Sequence, residues 1–190
     1  MAVAQRMSET EYLDFVLAVP EGAWELHDGQ LVEKPGVSWE HGGIVMVLGH
    51  DLLDQLDPRE FRVFTELRVR RTSATVFLPD LMVVPTRYGR EFAGRPGALA
   101  VFSDPLPLVV EVWSATTEDY DVDTKIPVYK QRGDLEIWRI HPYERTLKRW
   151  VRQGDGSYEE SMVRGGIVAT VAVSGVTIDL DRLFEVASMT

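Results

Sequence analysis

Thr75-Val76-Phe77-Leu78-Pro79-Asp80-Leu81-Met82-Val83-Val84 and Leu106-Pro107-Leu108-Val109-Val110-Glu111-Val112-Trp113 are apolar runs of strand length, each interrupted by one acid. Their shortness and their β-branched content read as buried strands rather than helices. A carboxylate inside such a run is costly to bury unless something compensates it, and a divalent cation is one of the few partners that compensates two together. Asp80 and Glu111 are therefore candidate metal ligands for Mg²⁺ or Mn²⁺. The competing readings are a turn-forming Asp at a strand end and a Glu on a solvated edge. Two close carboxylates without their cation repel, so removing either acid is expected to raise the metal-free stability.

Working outward, helices and strands alternate around these runs. Ser8 followed by Glu11 is a capping-box start for a helix to about residue 18, with Pro20 beyond it. Asp28-Gly29, between Trp24-Glu25-Leu26-His27 and Gln30-Leu31-Val32-Glu33, predicts a hairpin. Ser38 can cap a second helix, whose Ile44, Val47, Leu48, Leu52 and Leu56 recur at helical spacing until Pro58. Strands over 62–71 and 75–84 follow, then a Gly-, Pro- and Arg-rich loop over 85–107, long enough for a functional role. After the strand at 108–113, residues 121–132 read as a helix. Pro127 fits only its first turn, which puts the start near Asp123 or Thr124, and Gly133 suits its end. Lys125 and Tyr129 then share one face. Strands over 135–141, 146–152 and 157–163, a strand near 168–173 and the segment 178–184 close the chain. The expected architecture is α/β (α+β): one domain over 1–190, a mixed central sheet flanked by helices, with an N-terminal helix and hairpin and extra C-terminal strands.

The chain has 190 residues, 45% of them hydrophobic, enough for a full core, and a homodimer is left open. It has no cysteine, which excludes disulfides, thiolate metal sites and cysteine nucleophiles. No apolar run approaches the ~20 residues that span a bilayer, and residues 1–10 lack the apolar core of a signal peptide, so a cytoplasmic protein with no membrane partner is expected. The net charge of −10 opposes indiscriminate nucleic-acid binding, yet it is uneven: residues 1–57 carry 2 basic and 11 acidic side chains, residues 58–152 carry 16 and 13. Arg68, Arg70, Arg87 and Lys130 lie in the same segment as Asp80 and Glu111 and are candidate phosphate-binding residues. Alternation along Arg68-Val69-Arg70 puts both arginines on one strand face. Solvated surface charge is the competing reading.

The ordered set of Trp24-Glu25-Leu26-His27-Asp28-Gly29, His41, Leu78-Pro79-Asp80-Leu81, Leu108-Val109-Val110-Glu111-Val112-Trp113-Ser114 and Lys125 through Tyr129 and Gly133 to Ile137-Trp138 resembles the PD-(D/E)xK nuclease superfamily. Within it, the chain is similar to the Uma-type restriction endonuclease family over roughly residues 8–185. That resemblance implies a restriction-endonuclease-like fold and metal-dependent hydrolysis of phosphodiester bonds, with nucleic acid, DNA first, as partner. It also implies the Val112 carbonyl as a further metal ligand. The familiar motif places lysine two residues after the glutamate, where this chain has Trp113; the resemblance points instead to Lys125, on the following helix, as the cation that orients water and stabilises transition-state charge. An ordinary exposed helix lysine is the alternative.

Glu25 is either a further acid for the metal or a polar hairpin residue. His41, at a helix N-terminus, either contacts metal or phosphate or serves as a cap or core histidine. Asp121 and Asp123 read as a cap and a solvated residue, and Ser114, Thr116 and Thr117 as turn and cap residues rather than nucleophiles. Beside the nuclease stands a different class, a non-catalytic nucleic-acid-binding or regulatory module of the same fold, which the pI of 4.9 favours. RNA as the substrate is not separated from DNA.

Overall fold

The computed structural model describes residues 6–19, 21–34, 36–115 and 121–189. The readings placed on Pro20, Thr116 and Thr117 fall outside them, as does the side chain of Asp121. Ser8 opens α1 (Glu9–Ala18) with reciprocal bonds: its Oγ accepts from the Glu11 amide and its own amide donates to Glu11 Oε2 at 2.7 Å. The hairpin β1 (Trp24–His27) and β2 (Gln30–Glu33) turns at Asp28 and Gly29, with φ of 47° and 79°, the paired left-handed conformation that a two-residue turn of this type demands. Ser38 caps α2 (Trp39–Gln55) through the His41 amide.

The next segment departs from the sequence expectation. Both long strands are broken. Residues 62–71 divide into β3 (Phe61–Phe64) and β4 (Arg68–Thr72), with Glu66 at φ 54° between them; residues 75–84 divide into β5 (Thr75–Phe77) and β6 (Leu81–Pro85), with Pro79 and Asp80 between them. The breaks face each other, and the Glu66 amide donates to the Pro79 carbonyl at 3.1 Å. A single long hairpin is thus folded over a corner. Its base, β3 and β6, lies in one sheet, and its tip, β4 and β5, lies in another.

The 85–107 loop contains a 3₁₀ turn (Thr86–Glu91) and β7 (Val101–Phe102), which runs parallel to β4. Then come β8 (Leu108–Val112), a π-helical turn (Asp121–Lys125) and α3 (Ile126–Arg132), with Pro127 in its first turn and Gly133 ending it at φ 82°. The remaining elements are β9 (Glu136–His141), β10 (Thr146–Arg152), β11 (Tyr158–Val163), β12 (Ile167–Ala169), β13 (Thr177–Asp179) and α4 (Leu180–Ala187). The segment expected at 178–184 is therefore strand and then helix, with Asp179 capping α4 through the Arg182 amide.

One sheet has the order β2-β1-β5-β4-β7 and a second β11-β10-β9-β8-β6-β3, both mixed in direction, while β12 and β13 pair antiparallel as a separate two-stranded sheet. The parallel neighbours β8 and β9 require a crossover, and α3 lies within it. Alternation on β8 sends Leu108, Val110 and Val112 into a core shared with α2 and α4, where Gly43 lets the helices meet: a Cβ there would lie 2.5 Å from the Ala187 carbonyl oxygen. Val109 faces a second core, with Phe77, Ile126 and Tyr129, between α3 and the first sheet. Glu111 shares that face. A third core packs Tyr12 of α1 on Leu26 and Val76. No helix among the described residues is long and apolar enough to cross a membrane.

Candidate active site

The corner at Leu78-Pro79-Asp80 frees backbone groups that a continuous strand would have paired, and side chains take them up. The Leu78 amide donates to Glu25 Oε1 at 2.8 Å, and the Leu78 carbonyl accepts from Lys34 Nζ at 2.9 Å. Glu25 on β1 and Lys34 just after β2 are thereby fixed to the corner. Asp80 stands directly before β6. Leu81 faces Val110 across the antiparallel β6 and β8, so Asp80, one residue before β6, lies at the Glu111–Val112 end of β8, where the Val112 amide reaches its carboxylate.

Asp80 is 5% exposed. Its Oδ1 accepts from Lys34 Nζ at 2.8 Å; its Oδ2 accepts from the Val112 amide at 2.7 Å and lies 3.1 Å from His41 Nε2. Burial pushes this carboxyl up, but Lys34, the His41 hydrogen bond and charge, and Lys125 more than offset it and hold the group far below the usual carboxylate range. Burial likewise pulls Lys34 down, but Asp80, Glu111 and Glu25 together more than offset it and leave the ammonium above its usual value.

The other half centres on Lys125, whose side chain is 2% exposed. Its Nζ lies 3.0 Å from Glu25 Oε1 and 3.4 Å from Glu111 Oε1, over the Phe77 ring at 5.9 Å. Tyr129, one helical turn along, donates to Glu111 Oε1 at 2.5 Å. The exposed-lysine alternative is thus excluded by burial. Asp80, Glu111, Lys125, Glu25 and His41, distant in sequence, form one buried cluster, and the amide of Val112 joins it.

The structure reverses one expectation. The acids do not repel each other unrelieved, because each is paired with an ammonium; removing Asp80 strands the buried Lys34 and is expected to lower stability. Nor do three His, Cys, Asp or Glu side chains converge as a ready cage among the described residues. What remains suits a hard cation in its donor type: the carboxylate oxygens of Asp80 and Glu111, with room in the coordination count for water. His41 Nδ1 is buried with no hydrogen-bond partner among the described residues.

The expected phosphate-binding residues do not gather at this cluster. Arg68 is buried and donates to the Tyr12 hydroxyl at 3.2 Å; Lys130 lies 4.9 Å over the Trp150 ring. Arg70 faces α1, as the alternation implies, and pairs with Glu9 at 2.8 Å. Arg70 and Arg87 share a cavity of about 690 Å³ with Arg90, Tyr88 and Ser103. Alternation gave the face but not what covers it. Trp113, in the slot of the familiar lysine, stacks on His141 at 4.3 Å and meets Tyr143 edge-on at 5.7 Å. Tyr143 in turn donates to Glu40 Oε2 at 2.9 Å at the start of α2.

Sequence reasoning missed Lys34 and gave Tyr129 no role. The available signal for Lys34 was charge: it is one of the 2 basic residues among the first 57.

A crystal structure of a putative nuclease belonging to DUF820 from Anabaena variabilis shares this fold, with a TM-score of 0.76 and 22% identity, covering 95% of this chain and 99% of that one. No curated protein matches the chain. The model of the Uma2 family, described as "Putative restriction endonuclease", matches residues 10–181. With nearly its whole length matched, the chain belongs to the Uma2 family.

Proposed function

We propose that the chain is a metal-dependent endonuclease that hydrolyses phosphodiester bonds in DNA, in the cytoplasm and as a homodimer. Asp80 and Glu111 would hold Mg²⁺ or Mn²⁺ with the Val112 carbonyl, water filling the other positions. Such an ion polarises the phosphate and lowers the pKa of a bound water. Lys125 orients the attacking water and stabilises the charge that grows on the phosphoryl oxygens. Glu25 holds the Lys125 ammonium in place, and Tyr129 fixes Glu111. Arg70 and Arg87, with Arg90 beside them, contact the DNA backbone.

The observation that carries this reading is the meeting of Asp80, Glu111 and Lys125 at one buried corner of a chain of this family. The experiment is cleavage of plasmid DNA with Mg²⁺ or Mn²⁺ by the wild type and by Asp80→Asn, Glu111→Gln and Lys125→Met. Each substitution should abolish cleavage. The carboxylate variants should also lose metal binding, whereas Lys125→Met keeps it and loses rate. Cleavage that survives in all three would end the assignment. One observation favours a second reading, a non-catalytic nucleic-acid-binding module of nuclease fold: every acid of the cluster is already neutralised from within. DNA retention without cleavage or metal binding would select it.

A further inference from the structure

Lys34, like His41, is a member of the cluster that the catalytic reading leaves without a task. Its ammonium is held by a backbone carbonyl, that of Leu78 at 2.9 Å, and by a carboxylate oxygen, Asp80 Oδ1 at 2.8 Å. Carbonyl and carboxylate oxygens are the donors that a hard divalent cation takes. The corner supplies both, because the Leu78 carbonyl is free of the strand ladder there.

Two further facts concern exchange. The Lys34 side chain is 10% exposed against 2% for Lys125, so it lies nearer the rim. Its backbone amide is anchored to the Ala23 carbonyl at 2.7 Å, at the open end of the first hairpin, so the ammonium can withdraw by side-chain rotation alone. Charge then balances. With Lys34 withdrawn, the carboxylates of Asp80, Glu25 and Glu111 face Lys125 as the one remaining lysine, and a divalent cation supplies the positive charge that Lys34 takes away.

We propose that Asp80 and the Leu78 carbonyl form a cation site that the Lys34 ammonium fills in the metal-free protein and yields to Mg²⁺ or Mn²⁺. This deepens the metal-dependent reading and rests on it, adding Leu78 to the ligands and making Lys34 the residue that sets the affinity. Removing the competitor must tighten metal binding, whereas a merely structural lysine would, when removed, loosen the site.

The test is calorimetric titration of Mn²⁺ into the full-length wild type, Lys34→Met and Asp80→Asn. Lys34→Met should bind at least tenfold more tightly than the wild type, and Asp80→Asn should not bind. A wild type that binds while Lys34→Met binds no more tightly overturns the exchange and leaves the metal reading standing. Absence of binding in both overturns the two together. Should Lys34→Met not fold, the wild type suffices: an amine-acylating reagent read by peptide mass spectrometry should label Lys34 faster at saturating Mn²⁺, with Lys125 still protected. Unchanged labelling of Lys34 refutes the proposal.

Discussion

Two of the buried ionic groups among the described residues are built on different plans. Arg132 and Asp134 form a closed knot at the end of α3. The guanidinium uses Nε and both terminal nitrogens on the Asp134 carboxylate and on the carbonyls of Arg70, Phe102 and Asp104, while Asp134 also accepts from the Leu106 amide at 2.7 Å. One cation faces one anion, and the other partners are backbone. At the corner, three acids share two lysines and a histidine, and the partners are mostly side chains that can turn. The knot ties α3 to the first sheet. The corner keeps charges that can be redistributed, which is what binding an ion and stabilising a transition state require.

The sharpest way to break the comparison is to remove one cation from each group. Arg132→Met leaves Asp134 buried and unpaired and should cost about 3–5 kcal/mol in urea unfolding. Lys125→Met leaves Glu25 and Glu111 uncompensated and should cost somewhat less, about 3 kcal/mol. The melting temperature of Lys125→Met should rise with millimolar Mg²⁺, and that of Arg132→Met should not gain beyond the wild type's own response. Equal responses of the two variants would erase the distinction. Tyr129→Phe removes one hydrogen bond to a charged acceptor and should cost about 1.5–3 kcal/mol, with the fold intact by circular dichroism.

The pH dependence separates the two groups by sign. Asp80 is held below its unfolded value, so the unfolded chain binds the extra proton; its contribution is full above the unfolded pKa of about 3.9 and is lost as pH falls below it. Asp134 is held above its unfolded value by burial, against Arg132 and Leu106, so its contribution declines as pH rises from about 3.9 through the native value. Asp80→Asn should flatten the acid limb of stability against pH, and Asp134→Asn should steepen the rise, each by at most about 1.4 kcal/mol per pH unit. Unfolding curves from pH 2 to 7 would show the two slopes, and a shared sign would contradict the assignment.

The parts of the fold legible in the sequence are those with local causes. Ser8 with Glu11, Asp28-Gly29 and Gly133 each fix a boundary through their own backbone chemistry, and the structure places those boundaries accordingly, whereas α3 begins at Ile126, after the π-helical turn, and not near Asp123 or Thr124. The order of Asp80, Glu111 and Lys125 was legible as a pattern. The corner was marked by Pro79 alone, which cannot donate to a strand ladder, and the run was still read as one strand; pairing with two different sheets is what divides the strands there. β7, two residues long, carries no period to detect. Arg68 and Lys130 were misplaced for the same reason: which element covers a face is a tertiary fact.

The corner also offers a reporter that requires no substitution. In an ordinary sheet the amide of Leu78 would be shielded by a neighbouring strand, but here its proton rests on the Glu25 carboxylate. Its exchange with deuterium therefore follows the attachment of β1 to the tip of the folded-over hairpin, within the first sheet. That single amide should lose protection whenever β1 parts from the hairpin tip, and so measures how long Glu25 stays with the corner.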